Sequence, residues 1–332
     1  MEQDAGQPSA KSMDQRELIT GRTIGLIVAA LILFGGIALI SDSFLGENAA
    51  YTMFVLSRQV AFFTIIALAQ AVCLAVGGMN LSVGAIGSIS TVMLGIALAD
   101  WGLSGWAAVP LAILVGGAAG FLNGNLIVRL RIDPFIVTLS TMFIFMGLRS
   151  GISGGQPYTV PPTFVSVGQG GILGIPYVFL IMIAVLSIFS FMYRNTVFGR
   201  RMLATGGNPD AAKLSGISTD NMIVGANVLS GLLMALAAVL YASENGSAAP
   251  ETGDAWLIVS FAVAIIGGTG LTGGTLSPFG ILMGGIIYTL IRYGLIDFKA
   301  NPYYMKVYIG ILILLTIAID RIREIYNARK KG

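Results

Sequence analysis

Apolar residues in this chain run in stretches long enough to cross a bilayer, and the polar residues between them come in short clusters. Windows near 24–40, 60–77, 83–99, 106–128, 134–150, 176–193, 222–242, 278–296 and 303–319 each approach the roughly 17–25 apolar residues of a spanning helix. A further window, 256–268, is short by itself and reaches that length only if its Gly-rich end enters the membrane. The pattern predicts an all-α polytopic membrane protein of about ten transmembrane helices, with both termini on one side.

Two interruptions differ from the other polar connections. Residues 77–84 read GGMNLSVG and residues 267–274 read GGTGLTGG, and both fit G-G-x-x-L-[S/T]-x-G. Each follows an inward-going span, precedes an outward-going one, and carries no basic residue. Glycine runs with Ser, Thr and Asn at membrane depth suit broken helices lining a water-filled cavity, where freed backbone groups find partners. Tight turns between hairpin helices account for the same residues. Gly116, Gly120 and Gly124 stand four apart, as do Gly280 and Gly284, a spacing that lets helices pack closely in lipid. Asn123 and Asn125, near the inner end of their span, need partners, and one of them is expected to face a pathway.

The longest polar run between two spans, RRMLATGGNPDAAKLSGI at 200–217, specifies both ends of a miniature helix. Asn208 is a favoured N-cap, Pro209 suits the first helical position, and Asp210 sits where the helix dipole favours negative charge. Ala211, Ala212, Lys213 and Leu214 are good helix formers, and Gly216 can take the left-handed C′ conformation. Such a rod is only ~10 Å long and must dock on something. It is either a surface loop with one helical turn or a docking knob for a partner protein.

Composition settles the class. Of 332 residues, 55% are hydrophobic and 11% charged, against roughly 25% charged in soluble domains. The net charge of +3 comes from loop and tail Lys and Arg, and no nucleic-acid partner is expected of so apolar a chain. Cys73 is the only cysteine and histidine is absent, which leaves no disulfide framework and removes the commonest metal ligand and general base. No metal, cofactor or catalytic residue is therefore expected, and a membrane enzyme is excluded for want of a nucleophile–base set.

Residues 1–23 lack a cleavage site after a short apolar core and read as a cytoplasmic tail. With that terminus inside, only Arg58, Arg149, Arg292, Lys299 and Lys306 of the 19 basic residues fall outside or toward outer helix ends. The bias obeys the positive-inside rule and puts 200–217 in the cytoplasm. Two outer connections stand out: 151–175, rich in Gly and Pro, and 243–254, which holds Glu244, Glu251 and Asp254. They are either a landing surface for a soluble protein or solvated loops.

No G-x-x-x-x-G-K-[S/T] motif occurs, so the chain has no such cradle for ATP phosphates. Asp100, Asp133 and Asp297 all lie at span ends, which counts against ion coupling, above all a proton relay. Neutral polar breaks, no internal energy source and a cytoplasmic knob suggest a permease driven by a separate motor. The alternative is a self-contained secondary sugar carrier or facilitator; neighbouring reading frames for an ATPase and a secreted binding protein would separate the two.

Four blocks in order resemble the membrane permeases of bacterial ABC importers for ribose, xylose, arabinose, galactose and related sugars. They are VGGMNLSVGAI at 76–86, GFLNGNLIVRLRIDPFIVTLSTM at 120–142, GRRMLATGGNPDAAKLSGI at 199–217 and AIIGGTGLTGGTLSPFGILMGG at 264–285. The resemblance implies a multi-pass protein of the bacterial inner membrane and a dimer with a second permease subunit, identical or not. It also implies a cytoplasmic ABC ATPase subunit below and an extracytoplasmic sugar-binding protein above. A permease domain would then span 24–320, with a coupling loop at 194–221 and a basic cytoplasmic tail at 321–332. The coupling role would fall on Gly206, Gly207, Asn208, Ala211, Ala212 and Gly216, seated in a cleft of the ATPase.

The chain departs from the family at Asn80, where aspartate is usual, and the segment ETGDAWLIVSF at 251–261 is idiosyncratic. A neutral polyhydroxylated solute suits neutral hydrogen-bonding side chains, because fixed charges are costlier to bury. Asn80, Ser82, Asn123, Thr138, Thr141 and Thr269 are the cavity residues this reading selects. Helix–helix hydrogen bonding or bonding back to the i−4 carbonyl is the competing use of each.

Overall fold

The computed structural model describes residues 15–41 and 44–299, together with Asn301, Tyr304, Val307, Tyr308, Gly310, Ile311 and Leu314. In chain order the helices are α1 (Gln15–Ile40), α2 (Ala49–Ala75), α3 (Val83–Gly95, continued by a π turn over Ile96–Asp100), α4 (Gly105–Leu130), α5 (Pro134–Ser153) and α6 (Pro162–Gln169). They are followed by α7 (Tyr177–Asn195), α8 (Val197–Gly207), α9 (Pro209–Leu214), α10 (Thr219–Asn245), α11 (Trp256–Ile266) and α12 (Pro278–Asp297). Two short antiparallel ribbons pair β1 (Tyr158–Thr159) with β4 (Ser247–Ala248) and β2 (Gly171–Ile172) with β3 (Ile175–Pro176).

Among the described residues, α1, α2, α3 with its π turn, α4, α5, α7, α10 and α12 are long and apolar enough to cross a membrane, and α11 is shorter. The fold is all-α and polytopic, as the apolar windows predict. The window 303–319 falls largely outside the described residues, as do 1–14 and 321–332. α1 begins at Gln15, within the stretch read as a tail.

Hydrophobic on every side, α2 takes the centre of the bundle, and every residue from Val60 to Ala75 is buried. α10, α11, α12 and α7 surround it. α3 is nearly as buried, wedged between α4, α5 and α10. The glycine ladder of α4 explains its fit to α10: a Cβ on Gly116 would meet the Gly231 carbonyl, one on Gly120 the Asn227 carbonyl, and one on Gly124 the Val224 Cα. Gly280 and Gly284 play the same part against Gly267 and Val263. Both small-residue ridges are thus packing devices, as their spacing suggests.

The segment 243–254 is packed along part of its length, with Ser243, Ala248, Pro250 and Gly253 buried and Asn245, Glu251 and Asp254 exposed. Glu244 still belongs to α10 and pairs with Arg58 at 3.3 Å. Ala248 pairs with Tyr158, whose ring fills the place of a Cβ on Gly95; five residues on, Gly253 lies backbone to backbone against Gly84. Gly84 is about 24 Å along α3 from Asp100 at 1.5 Å per residue. The chain therefore runs into the bundle antiparallel to α3, and α11 starts from inside it. That is why α11 is short: its missing turns are replaced by this irregular stretch.

Irregular backbone survives at such depth only where protein surrounds it. Here Thr252 donates to the Ala249 carbonyl (3.2 Å), Asp254 to Glu251 (3.0 Å) and Trp256 to Gly253 (3.0 Å), while the Gly253 N–H donates to Ser88 Oγ at 3.0 Å.

Candidate functional site

The first break is a helix stop. Gly77 takes φ +82 after α2, its N–H donates to the Leu74 carbonyl (2.9 Å), and the Gly78 N–H donates to the Cys73 carbonyl (3.1 Å). This pair of bonds is a Schellman cap. The second break repeats it: Gly268 has φ +94 and donates to Ile265 (2.9 Å), and Thr269 donates to Ala264 (2.9 Å). The equivalence is shifted by one residue from the sequence pattern, since Gly77 corresponds to Gly268 and not to Gly267.

Past the first cap, Asn80 organises a chain of polar side chains. Asn80 Oδ1 accepts from the Ser82 N–H (3.0 Å) and Ser82 Oγ (2.7 Å), Asn80 Nδ2 donates to Ser230 Oγ (3.3 Å), and Asn123 Nδ2 donates to Ser82 Oγ (2.7 Å). The break is thereby tied to α4 and α10. Thr138 Oγ1 accepts from the Leu81 N–H (3.0 Å) and donates back to the Pro134 carbonyl (2.7 Å). Thr141 bonds back to the Thr138 carbonyl at 3.3 Å, and Thr269 shares no hydrogen bond with the others.

All six predicted cavity residues are interior, none more than 2% exposed. Beside the break lies a cavity of about 60 Å³ lined by Cys73, Met79 and Asn227, far below the roughly 300 Å³ of a ligand pocket. Asn123 Oδ1 and Thr269 Oγ1 are buried without partners. Asn125, by contrast, is exposed and bonds back to Phe121. Asn80→Ala is expected to strip partners from Ser82 and Ser230 and to destabilise the chain by about 1–3 kcal/mol. Thermal unfolding of the detergent-purified protein checks this.

The polar run 200–217 is more ordered than a loop with one turn. α8 starts at Thr196, whose Oγ1 accepts from the Gly199 N–H (3.1 Å), and buries Gly199, Met202, Thr205 and Gly206. α9 follows with the ends the sequence specifies. Asn208 Oδ1 accepts from the Ala211 N–H (3.0 Å), Pro209 is first in the helix, and Gly216 has φ +76 while Ile217 donates to the Ala212 carbonyl (3.0 Å). Ala212 faces inward, 4% exposed, and seats the helix on its own chain. Gly207, Asn208, Ala211 and Gly216 are exposed. Leu214, apolar and a good helix former, is nevertheless 90% exposed.

The end of α8 joins the two breaks. The Gly274 N–H donates to the Ala75 carbonyl at 3.0 Å, and Gly206 lies against both groups. A Cβ on Gly206 would overlap the Ala75 carbonyl oxygen and lie 2.7 Å from Gly274 N; one on Gly273 would lie 2.7 Å from Gly206 O and 2.9 Å from Gly77 Cα. No side chain separates the three backbones. α9 begins three residues after Gly206, so main chain alone links it to both breaks.

A charged pair escaped the sequence reading. Arg149 of α5, 5% exposed, places Nη1 2.6 Å from Asp254 Oδ1 and 2.6 Å from Ser88 Oγ. The signal was an arginine inside an apolar window, which demands a partner. Nothing local in the sequence points to Asp254.

Residues 52–317 match the family described as the branched-chain amino acid transport system / permease component. The chain is 34% identical over 304 residues to a ribose import permease protein of Bacillus subtilis, covering 91% of this chain and 92% of that one. It is 32% identical over 305 residues to a D-allose transport system permease protein of Escherichia coli, covering 90% and 91% respectively. A fructose import permease protein of Rhizobium meliloti is 31% identical over 305 residues, covering 89% and 83%.

Proposed function

The chain belongs to the branched-chain amino acid transport system / permease component family and is a multi-pass membrane permease; from that premise we propose that it forms the path by which an ABC importer brings a neutral monosaccharide or related polyol into the bacterial cytoplasm. The sugar reading is supported by relatives whose names carry ribose, D-allose and fructose. A cytoplasmic ATPase subunit, an extracytoplasmic sugar-binding protein and a second permease subunit complete the assembly. α8 and α9 face the cytoplasm, and the termini lie on that side. Asn80, Ser82, Asn123 and Thr138 tie the first break to its neighbouring helices beside the path, while Thr141 and Thr269 line it without joining that network.

The observation that carries this reading is the main-chain junction of Gly206 with Ala75 and Gly274. A capped helix presented to solvent and fixed to two helix breaks is what a separate motor needs in order to move a path. A self-contained carrier has no use for an exposed, doubly capped knob. Gly206 serves the junction, Ala212 seats α9, and Gly207, Asn208, Ala211, Gly216 and Leu214 meet the ATPase.

Leu214→Asp tests it, because the side chain is exposed and its loss leaves the chain's own packing intact. The variant is expected to reach the membrane normally, to lose co-purification with the ATPase by about tenfold or more, and to lose uptake with it. Normal complex formation and uptake would remove the docking role of α9.

A further inference from the structure

The Arg149–Asp254 pair lies apart from the hydrogen-bonded chain around Asn80, and its geometry is asymmetric. Arg149 is sealed at 5% exposure, with Nη1 engaged by Asp254 and Ser88 and with Nε buried without a partner. The Asp254 side chain is 44% exposed. Only its Oδ1 meets Arg149, and no other side-chain partner of Asp254 occurs among the described residues. Its neighbours Ala255 and Ile258 are also exposed, so the open side of the carboxylate continues onto an accessible face of α11.

Burying the Arg149 charge is costly, and an apolar contact would hold α5 to the re-entrant stretch as well or better. A pair used only as glue would also be sealed on both sides. Here the cation is enclosed and the anion opened. The backbone on either side is fixed too, since Gly253 bonds to the same Ser88 hydroxyl that receives Arg149.

We propose that Asp254, seated by Arg149 and Ser88, is a solute-binding residue of the path, whose open carboxylate oxygen accepts hydrogen bonds from hydroxyls of a neutral polyhydroxylated solute. Charge-assisted bonds of this kind are stronger than neutral ones. Arg149 balances the charge, so the site attracts no ion of its own. Arg149 and Ser88 are positioning residues. The proposal rests on the sugar-permease reading and deepens it by naming a specificity-determining side chain.

The test uses the full permease expressed with its ATPase and binding protein. Maximal uptake rates are measured at saturating D-ribose, D-allose, D-fructose, D-galactose and L-arabinose, with L-leucine as a zwitterionic probe. Asp254→Asn keeps the shape and removes the charge. It is expected to lower the rate for the best sugar by about tenfold, a hydrogen bond to a charged group being worth that much. At least one stereoisomer is expected to be less affected, so the rank order changes. Asp254→Glu keeps the ion pair, moves the open oxygen by one methylene, and is expected to accumulate normally and to change the ranking as well. Ser88→Ala is expected to lower all rates by a similar, smaller factor without changing the order.

An unchanged ranking in Asp254→Glu, or an equal fall for every carried sugar in Asp254→Asn, overturns the subsite and leaves the permease reading standing. Wild-type uptake of L-leucine with none of the five sugars overturns the sugar reading itself.

Discussion

Gly206→Val is expected to reduce uptake to below about a tenth of wild type, because no branched side chain fits between α8 and the two breaks. Its Cβ would occupy the place of the Ala75 carbonyl oxygen and lie 2.7 Å from Gly274 N, the donor to that oxygen. These are backbone atoms, so no rotamer change relieves the overlap. Overpacking of this kind costs about 1–3 kcal/mol even where side chains can shift, and the junction opens instead. The break then loses the Gly274–Ala75 hydrogen bond, and α9 loses its rigid link to both helix ends. Gly35→Ala, on the outer helix α1 with nothing within 4 Å of the added carbon, is the matched control and is expected to behave as wild type. Uptake and solute-stimulated ATP hydrolysis are read together with membrane abundance. Wild-type uptake by Gly206→Val would show that the junction transmits nothing.

Gly84→Leu is expected to cost the protein its stable fold. The added Cβ would sit on the Gly253 carbonyl, and the re-entrant stretch would have to leave α3. Displacement breaks the Gly253–Ser88 hydrogen bond and separates Asp254 from Arg149, stranding a buried guanidinium. Breaking a buried pair by removing one partner costs about 3–5 kcal/mol, a large share of a typical domain's stability. Membrane abundance and thermal unfolding measure this; a stable Gly84→Leu protein would mean that residues 249–255 do not lie inside the bundle. The glycine at this position thus serves close packing of two backbones, whatever the break beside it does for solute.

What could be read from the sequence was local. Asn208, Pro209 and Gly216 specify the ends of α9 through their own backbone preferences, and the structure has the helix between them. The span pattern and the ladder Gly116–Gly120–Gly124 were legible because lipid and close helix packing each impose a strict period. Facing was not legible in so short a helix. Ala212 turns inward and Leu214 outward, and six residues are too few for a hydrophobic stripe to reveal it. The register of the two breaks was misaligned by one residue because Gly77 and Gly78, like Gly267 and Gly268, offer two equivalent candidates for the left-handed position. The re-entrant stretch was invisible for a different reason. Glu251 and Asp254 look like residues of a solvated loop and both side chains are exposed, and only the distant Arg149 and Ser88 seat the backbone beside them in the bundle.

That stretch dictates an order of events during biogenesis. A polar segment carrying Glu251 and Asp254 does not partition from the translocon into lipid unaided, since an aspartate at helix centre costs about 2.5–3.5 kcal/mol. It enters the membrane interior only along a surface already supplied by α3 and α5, across a separation of 165 residues between Ser88 and Gly253. The amino-terminal helices must therefore stand in position before the ribosome's later product can be threaded beside them.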